Sequence, residues 1–129
     1  MRKELQQHGA FSWFELMTDD LEGAKRYYQE LFGWELERYP MGEGMEYWVV
    51  KVGGEGVGGI MAKPPQAADA PSYWGTYVAV DDVDAVAERT VALGGTLLVP
   101  PQEIPKVGRF CVLQDPQGAV ISAITYAEA

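Results

Sequence analysis

Histidine and cysteine are nearly missing from this chain: its 129 residues hold one of each, His8 and Cys111. A lone cysteine cannot close an intrachain disulfide, which fits a reducing compartment. An iron site of two histidines and a carboxylate cannot form within one chain. Basic residues are scarce too, 10 Lys and Arg against 19 Asp and Glu, for a net charge of −9. Nucleic-acid phosphates demand a basic patch, so no nucleic-acid partner is expected. No apolar run approaches the roughly 20 residues that cross a bilayer. No charged-then-apolar leader with a small-residue cleavage site is read at the start. The expectation is a cytoplasmic protein with no membrane partner. The acidity leans toward neutral or cationic ligands, and it also serves solubility alone. The rest is ordinary, with 47% hydrophobic and 22% charged residues and a length that suits one domain over residues 1–129.

The chain repeats itself. Met17-Thr18-Asp19-Asp20-Leu21 matches Ala79-Val80-Asp81-Asp82-Val83 at a spacing of 62. The same spacing relates Leu31 to Leu93, Gly33 to Gly95, Trp48 to Phe110, Val50 to Val112 and Gly56 to Gly118. Matched breakers and caps are harder to obtain by chance than matched hydrophobics. Two copies of one unit follow, module 1 over about 9–63 and module 2 over about 72–127, with a Pro-rich linker over 64–71.

Each copy carries the same signals. Phe11 to Met17 reads as a strand. Asp19 with Glu22 resembles a capping box, Leu21, Ala24, Tyr28 and Leu31 recur at helical spacing, and Gly33 ends the helix. In the second copy Asp81 caps, Asp84 follows, Val83, Val86, Thr90 and Leu93 form the stripe, and Gly94-Gly95 stops it. Strands are expected over 34–38, 46–52 and 56–62, and over 96–99, 109–113 and 119–125, with a turn at Asp115-Pro116-Gln117-Gly118. The loop 41–45 and the irregular stretch 100–108 could border a site mouth. The Gly53-to-Gly59 run opens no helix and lacks the Lys-Ser/Thr of a phosphate loop. It reads as a hairpin turn entering a strand whose glycines allow close packing or leave cavity volume.

Two βαβββ units in one short chain resemble the vicinal oxygen chelate superfamily, the glyoxalase, bleomycin-resistance and dioxygenase-like proteins. Phe14-Glu15-Leu16-Met17-Thr18-Asp19-Asp20 with Tyr27-Tyr28-Gln29-Glu30-Leu31-Phe32-Gly33-Trp34 is similar to the family's first strand and helix. Gly108 to Ala119, with its Asp-Pro-Gln-Gly, is similar to its closing hairpin. The resemblance implies an α+β fold of two tandem βαβββ modules, each a curved half-barrel mixed sheet with a helix on its outer face. It also implies a cavity and a homodimer, with modules paired within the chain or swapped between chains. It would place metal ligands at Trp13, Gly75, Ile60 and Ser122. None of these supplies the imidazole, carboxylate or thiolate that a divalent ion wants, so neither metal nor cofactor is expected. His8 reads as an exposed terminal residue and Cys111 as a small buried strand residue; the catalytic or reactive alternatives stay open.

Strand alternation then sorts the cavity. Phe11, Trp13, Glu15 and Met17 share one face, as do Gly75, Tyr77 and Ala79, while Gly58, Ile60 and Ala62 join Val120, Ser122 and Ile124 from the last strands. Phe11, Trp13, Glu15, Met17, Ile60, Gly75, Tyr77, Ser122 and Ile124 are the candidate ligand-binding residues. They give an apolar hollow with aromatic walls and a few polar groups, unless the same side chains simply fill it. Glu15 among them is a candidate general base or partner for a cationic ligand, or else a structural carboxylate. The leading expectation is a metal-independent binding protein for a small organic molecule. A glyoxalase-like lyase or isomerase using Glu15, Tyr77 or Ser122 is the alternative, and an accessory module or a metal-dependent lyase or dioxygenase follows. A metal-replete preparation is expected to carry no stoichiometric zinc, nickel or iron by plasma mass spectrometry; a one-to-one metal content would overturn the ligand assignment.

Overall fold

Strand β1 (Phe11–Thr18) buries Ser12, Glu15, Leu16 and Thr18, leaves Phe14 exposed although it was expected to face the helix layer, and hands directly to helix α1 (Leu21–Phe32). The computed structural model describes residues 6–40, 46–64, 69–104 and 107–127. After α1 come β2 (Glu35–Pro40), β3 (Glu46–Val52) and β4 (Glu55–Ala62). They are followed by β5 (Tyr73–Ala79), α2 (Val83–Ala92), β6 (Thr96–Ile104), β7 (Gly108–Gln114) and β8 (Val120–Tyr126). The βαβββ order thus occurs twice, as expected, and the fold is α+β. Two compact units emerge, one from Trp13 to Gly75, the other joining the stretch that ends at Ser12 to Thr76 and beyond. Residues 9 and 10 are tied to the second unit by the bonds Gly9 N–H to Ala79 C=O and Ala79 N–H to Ala10 C=O, at 2.7 and 2.8 Å.

In the first unit the strand order is β2-β3-β4-β1. β1 runs parallel to β4, with Leu16 opposite Ile60 and Glu15 opposite Gly59; β2, β3 and β4 are antiparallel neighbours. The glycines Gly53 and Gly54 make the expected hairpin turn, with φ of 58° and 81°. Leu16, Val50 and Ile60 form the core, and Leu21, Ala24, Tyr28, Trp34 and Leu36 pack on it. Fully burying side chains of this size contributes about 1.5–3 kcal/mol each. Ile60 therefore points toward α1, not into the expected ligand hollow. Leu31 also departs from the expected stripe and lies exposed. On the outside, Tyr28 and Trp34 stack at 5.5 Å, and Trp74 meets both edge-on, its indole N–H donating to the Tyr28 hydroxyl at 3.2 Å. Trp48 lies under the Lys25 ammonium, 3.5 Å from its ring centre.

In the second unit the order is β5-β8-β7-β6, with β5 parallel to β8 and the other pairs antiparallel. Val83, Ala87, Cys111 and Ala123 form its core. The expected strand over 96–99 is too short. β6 continues to Ile104 through Pro100 and Pro101, with register breaks between Leu97 and Val99 and between Val99 and Gln102. It pairs only with β7, and an edge strand tolerates residues that lack an N–H. Leu93 is exposed because α2 ends at Ala92, and Gly94 turns the chain with φ 93°.

The caps fall one residue later than the sequence reading placed them. Asp20 accepts from the Gly23 N–H at 3.0 Å, and Asp82 accepts from the Asp84 and Ala85 N–H groups at 3.0 and 3.3 Å. A cap must reach the second or third helical N–H, and the helices start at Leu21 and Val83. Asp19 pairs instead with Lys63 at 3.8 Å, the Asp81 N–H donates to His8 Nδ1 at 2.9 Å, and Glu22 pairs with Lys25. The repeat also drifts. Leu16 and Val78 keep the spacing of 62, but their partners Ile60 and Ala123 are 63 apart. The residues that share a face with Glu15 and Tyr77 are accordingly Gly59 and Ser122.

Arg109 clamps Asp84 with two bonds of 2.9 Å and reaches Glu103 at 3.3 Å. Those hydrogen bonds, and then the guanidinium charge, hold the Asp84 carboxyl below the usual aspartate range. A depressed pKa stabilises the fold above the ordinary value near 4, and that support is lost as pH falls through the lower folded value. The melting-temperature gap between Asp84→Asn and the parent is expected to be small at pH 7 and to close below about pH 4 in a pH-stepped thermal scan. Asp20→Ala is expected to cost about 1 kcal/mol in urea denaturation, and Asp19→Ala less than half of that.

Candidate functional site

Because Leu16 faces α1, the odd-numbered neighbours Trp13, Glu15 and Met17 look to the opposite side of the first unit's sheet. Glu15 is buried there, at 7% exposure. From β3, Tyr47 arrives beside it, equally buried. The Tyr47 hydroxyl donates to Glu15 Oε2 at 2.8 Å and accepts from the Trp13 indole N–H at 2.8 Å. The polarity of this chain is fixed, since an indole can only donate. Glu15 is held as an acceptor, the role a carboxylate fills.

Two β4 glycines make room for the arrangement. A Cβ at Gly59 would run into the Tyr47 hydroxyl, and one at Gly56 would lie 3.5 Å from the Trp13 ring. The space left by the glycine run is thus taken by Trp13 and Tyr47. On β5, Tyr73 completes the group: its hydroxyl donates to Met17 Sδ at 3.2 Å. Burial first, and then the negative charge of Glu15, push the Tyr73 phenol above its ordinary pKa. Gly75 sits between, and a Cβ there would be 3.8 Å from both the Glu15 carbonyl oxygen and the Tyr73 ring.

The remaining expected residues belong to the second unit. Tyr77 stands opposite Ser122 and Ala79 opposite Ile124 on parallel strands, and Phe110 of β7 pairs with Ile124. The Tyr77 and Phe110 rings are 6.3 Å apart, and Tyr77 and Ile124 are buried. Ser12 donates to the Tyr77 carbonyl at 3.4 Å and accepts from the Tyr126 hydroxyl at 2.7 Å. Burial pushes the Tyr126 phenol up. Phe11 does not line an enclosed hollow in its unit; it is 58% exposed. Cys111 is fully buried, and burial followed by the Asp84 charge pushes its thiol up, which makes it inert. His8 is exposed and engaged with the Asp81 backbone.

Of the positions where the resemblance would place metal ligands, Trp13, Ile60 and Gly75 lie in the first unit and Ser122 in the second, and none carries an imidazole, carboxylate or thiolate. Among the described residues no three His, Cys, Asp or Glu converge. A groove of about 490 Å³ lies elsewhere on the first unit, between Phe32, Trp34, Leu36, Lys51 and Val52. The loop 41–45 and part of the linker fall outside the described residues. Among the described residues no helix is long and apolar enough to cross a membrane.

Sequence reasoning missed Tyr47, Gly59 and Tyr73. Tyr73 was within reach, since the alternation that places Tyr77 and Gly75 extends back to it. Tyr47 and Gly59 needed the β1–β4 register, which one sequence does not supply.

The chain is 41% identical over 116 residues to CFP32 of Mycobacterium tuberculosis (strain CDC 1551 / Oshkosh), a protein whose name carries the word glyoxylase. That match covers 90% of this chain and 44% of the relative. It is 27% identical over 126 residues to the anthracycline biosynthesis protein DnrV of Streptomyces peucetius, covering 88% of this chain and 46% of that one. The chain therefore spans less than half the length of these relatives. Its fold is similar to that of the crystal structure of methylmalonyl-CoA epimerase from Mycobacterium tuberculosis, with a TM-score of 0.68 at 18% identity, covering 99% of this chain and 93% of that chain. A family model, the Glyoxalase/Bleomycin resistance protein/Dioxygenase superfamily, matches residues 10–122, and the chain belongs to that superfamily.

Proposed function

We propose that this protein binds a small organic molecule, neutral or cationic, without a metal, on the face of the first unit that carries Glu15. One observation carries the reading: the directed chain from Trp13 through Tyr47 to Glu15 holds a buried carboxylate in a single position among aromatic rings. Placing a carboxylate there is costly, and structural stability alone is served better by an apolar residue. An ionised carboxylate offers about four acceptor positions and can serve several donors at once. A ligand ammonium, N–H or O–H is the matching chemistry, and aromatic faces add to the attraction for a cation. The net charge of −9 works against an anionic ligand.

A second reading makes the protein a lyase or isomerase in which Glu15 takes a proton from the bound molecule. The fixed carboxylate favours it, and the DnrV name, a biosynthesis protein, is compatible with it. We also propose a cytoplasmic homodimer. A second copy would bring the assembly close to the length of the relatives, of which one chain covers under half.

Native mass spectrometry is expected to give a dimer, with a retained organic molecule where the natural ligand is captured. Glu15→Gln is expected to weaken binding of 2-phenylethylamine, an aromatic ammonium, by about tenfold in calorimetric titration. Unchanged affinity would end the proposal for this face. Tyr47→Phe leaves the Trp13 N–H without its acceptor, and is expected to cost about 1–3 kcal/mol in chemical denaturation.

A further inference from the structure

Among the aromatic side chains around Glu15, Tyr73 is set apart by how its polar atom is used. Tyr47 is buried and committed on both sides of its hydroxyl. Tyr73 is 38% exposed, and its hydroxyl donates to the thioether of Met17 at 3.2 Å. A thioether is a weak acceptor. A donor parked on sulfur gains when an oxygen takes the sulfur's place, because the exchange replaces a weak hydrogen bond by an ordinary one at little reorganisation. Met17 lies two residues from Glu15 on the same side of β1. Gly75 approaches both groups: a Cβ there would lie 3.8 Å from the Tyr73 ring and 3.8 Å from the Glu15 carbonyl oxygen. A phenolic donor and a carboxylate acceptor therefore border the same patch. The surroundings also hold the phenol in its protonated, donating form, through burial and the Glu15 charge.

We infer that Tyr73 is a specificity-determining residue of the Glu15 face, and that its hydroxyl leaves Met17 to bind an oxygen acceptor on the ligand. The ligand class becomes narrower: a small organic cation, paired with Glu15, that also carries an uncharged carbonyl or amide oxygen for Tyr73. An anionic oxygen is disfavoured by the neighbouring carboxylate. The inference rests on the proposed ligand site at Glu15.

Three related probes separate the two claims. Phenylalaninamide carries a ring, an ammonium and an amide oxygen; 2-phenylethylamine lacks the amide, and 3-phenylpropionamide lacks the ammonium. Titrated by ligand-observed NMR, the wild-type protein is expected to bind phenylalaninamide about tenfold more tightly than either fragment. In Tyr73→Phe, phenylalaninamide is expected to fall to the affinity of 2-phenylethylamine, with the amine itself unchanged. A melting curve near the parent's confirms that this half-exposed position tolerates the change. Retained phenylalaninamide affinity in Tyr73→Phe, with weakened binding in Glu15→Gln, would overturn the Tyr73 assignment and leave the Glu15 site standing. Insensitivity of all three probes to Glu15→Gln would remove the site itself. Absence of any preference for phenylalaninamide in the wild type would overturn the ligand class.

Discussion

The Tyr47 hydroxyl, held between an indole that only donates and a carboxylate that only accepts, is the constraint on which the first unit's Glu15 face depends. It joins β1 to β3 across β4, so three strands must keep register for it to form. It also dictates the residue at position 59. Tyr47 occupies the volume that any side chain there would need, and glycine alone leaves it free. Position and chemistry are settled together: the strands that bring Glu15 inward bring in the donor that makes a buried carboxylate tolerable.

The two units share an order of elements but not a chemistry. In the first, the face away from the helix gathers Trp13, Glu15, Met17, Tyr47 and Tyr73. In the second, it gathers Tyr77, Phe110, Ser122 and Ile124, while the Tyr126 hydroxyl donates to Ser12 and Ser12 to the Tyr77 carbonyl. Among the described residues the buried carboxylate, Glu15, stands on the first unit's face.

Much of this was legible from residues alone. The repeat was visible because turns, caps and glycines obey local rules, and the βαβββ order followed from them. The face of β1 was legible from alternation once Trp13 was placed. What failed was register. The resemblance put Ile60 on the face of Glu15 and a spacing of 62 carried it to Ser122, whereas the strand pairing puts Gly59 with Glu15 and Ser122 with Tyr77, a spacing of 63. With a side-chain period of two, one residue of drift turns a core position into a site position. The caps slipped for a related reason: in Asp19-Asp20 and Asp81-Asp82 both residues suit the role, and only the helix start chooses between them. β6 was cut short because a Pro-Pro pair reads as a loop, and only its place at the edge makes it a strand.

That edge has a consequence beyond the fold. In its own sheet β6 pairs on one side, and its outer side is where another extended chain would add. Pro100 and Pro101 remove amide hydrogens from the middle of the strand, and the register breaks around them bend what remains. In the first unit the edge strand, β2, ends on Pro40. An incoming strand meets a ladder with missing rungs. The same irregularity that hid a strand from sequence reading makes this edge a poor template for strand addition.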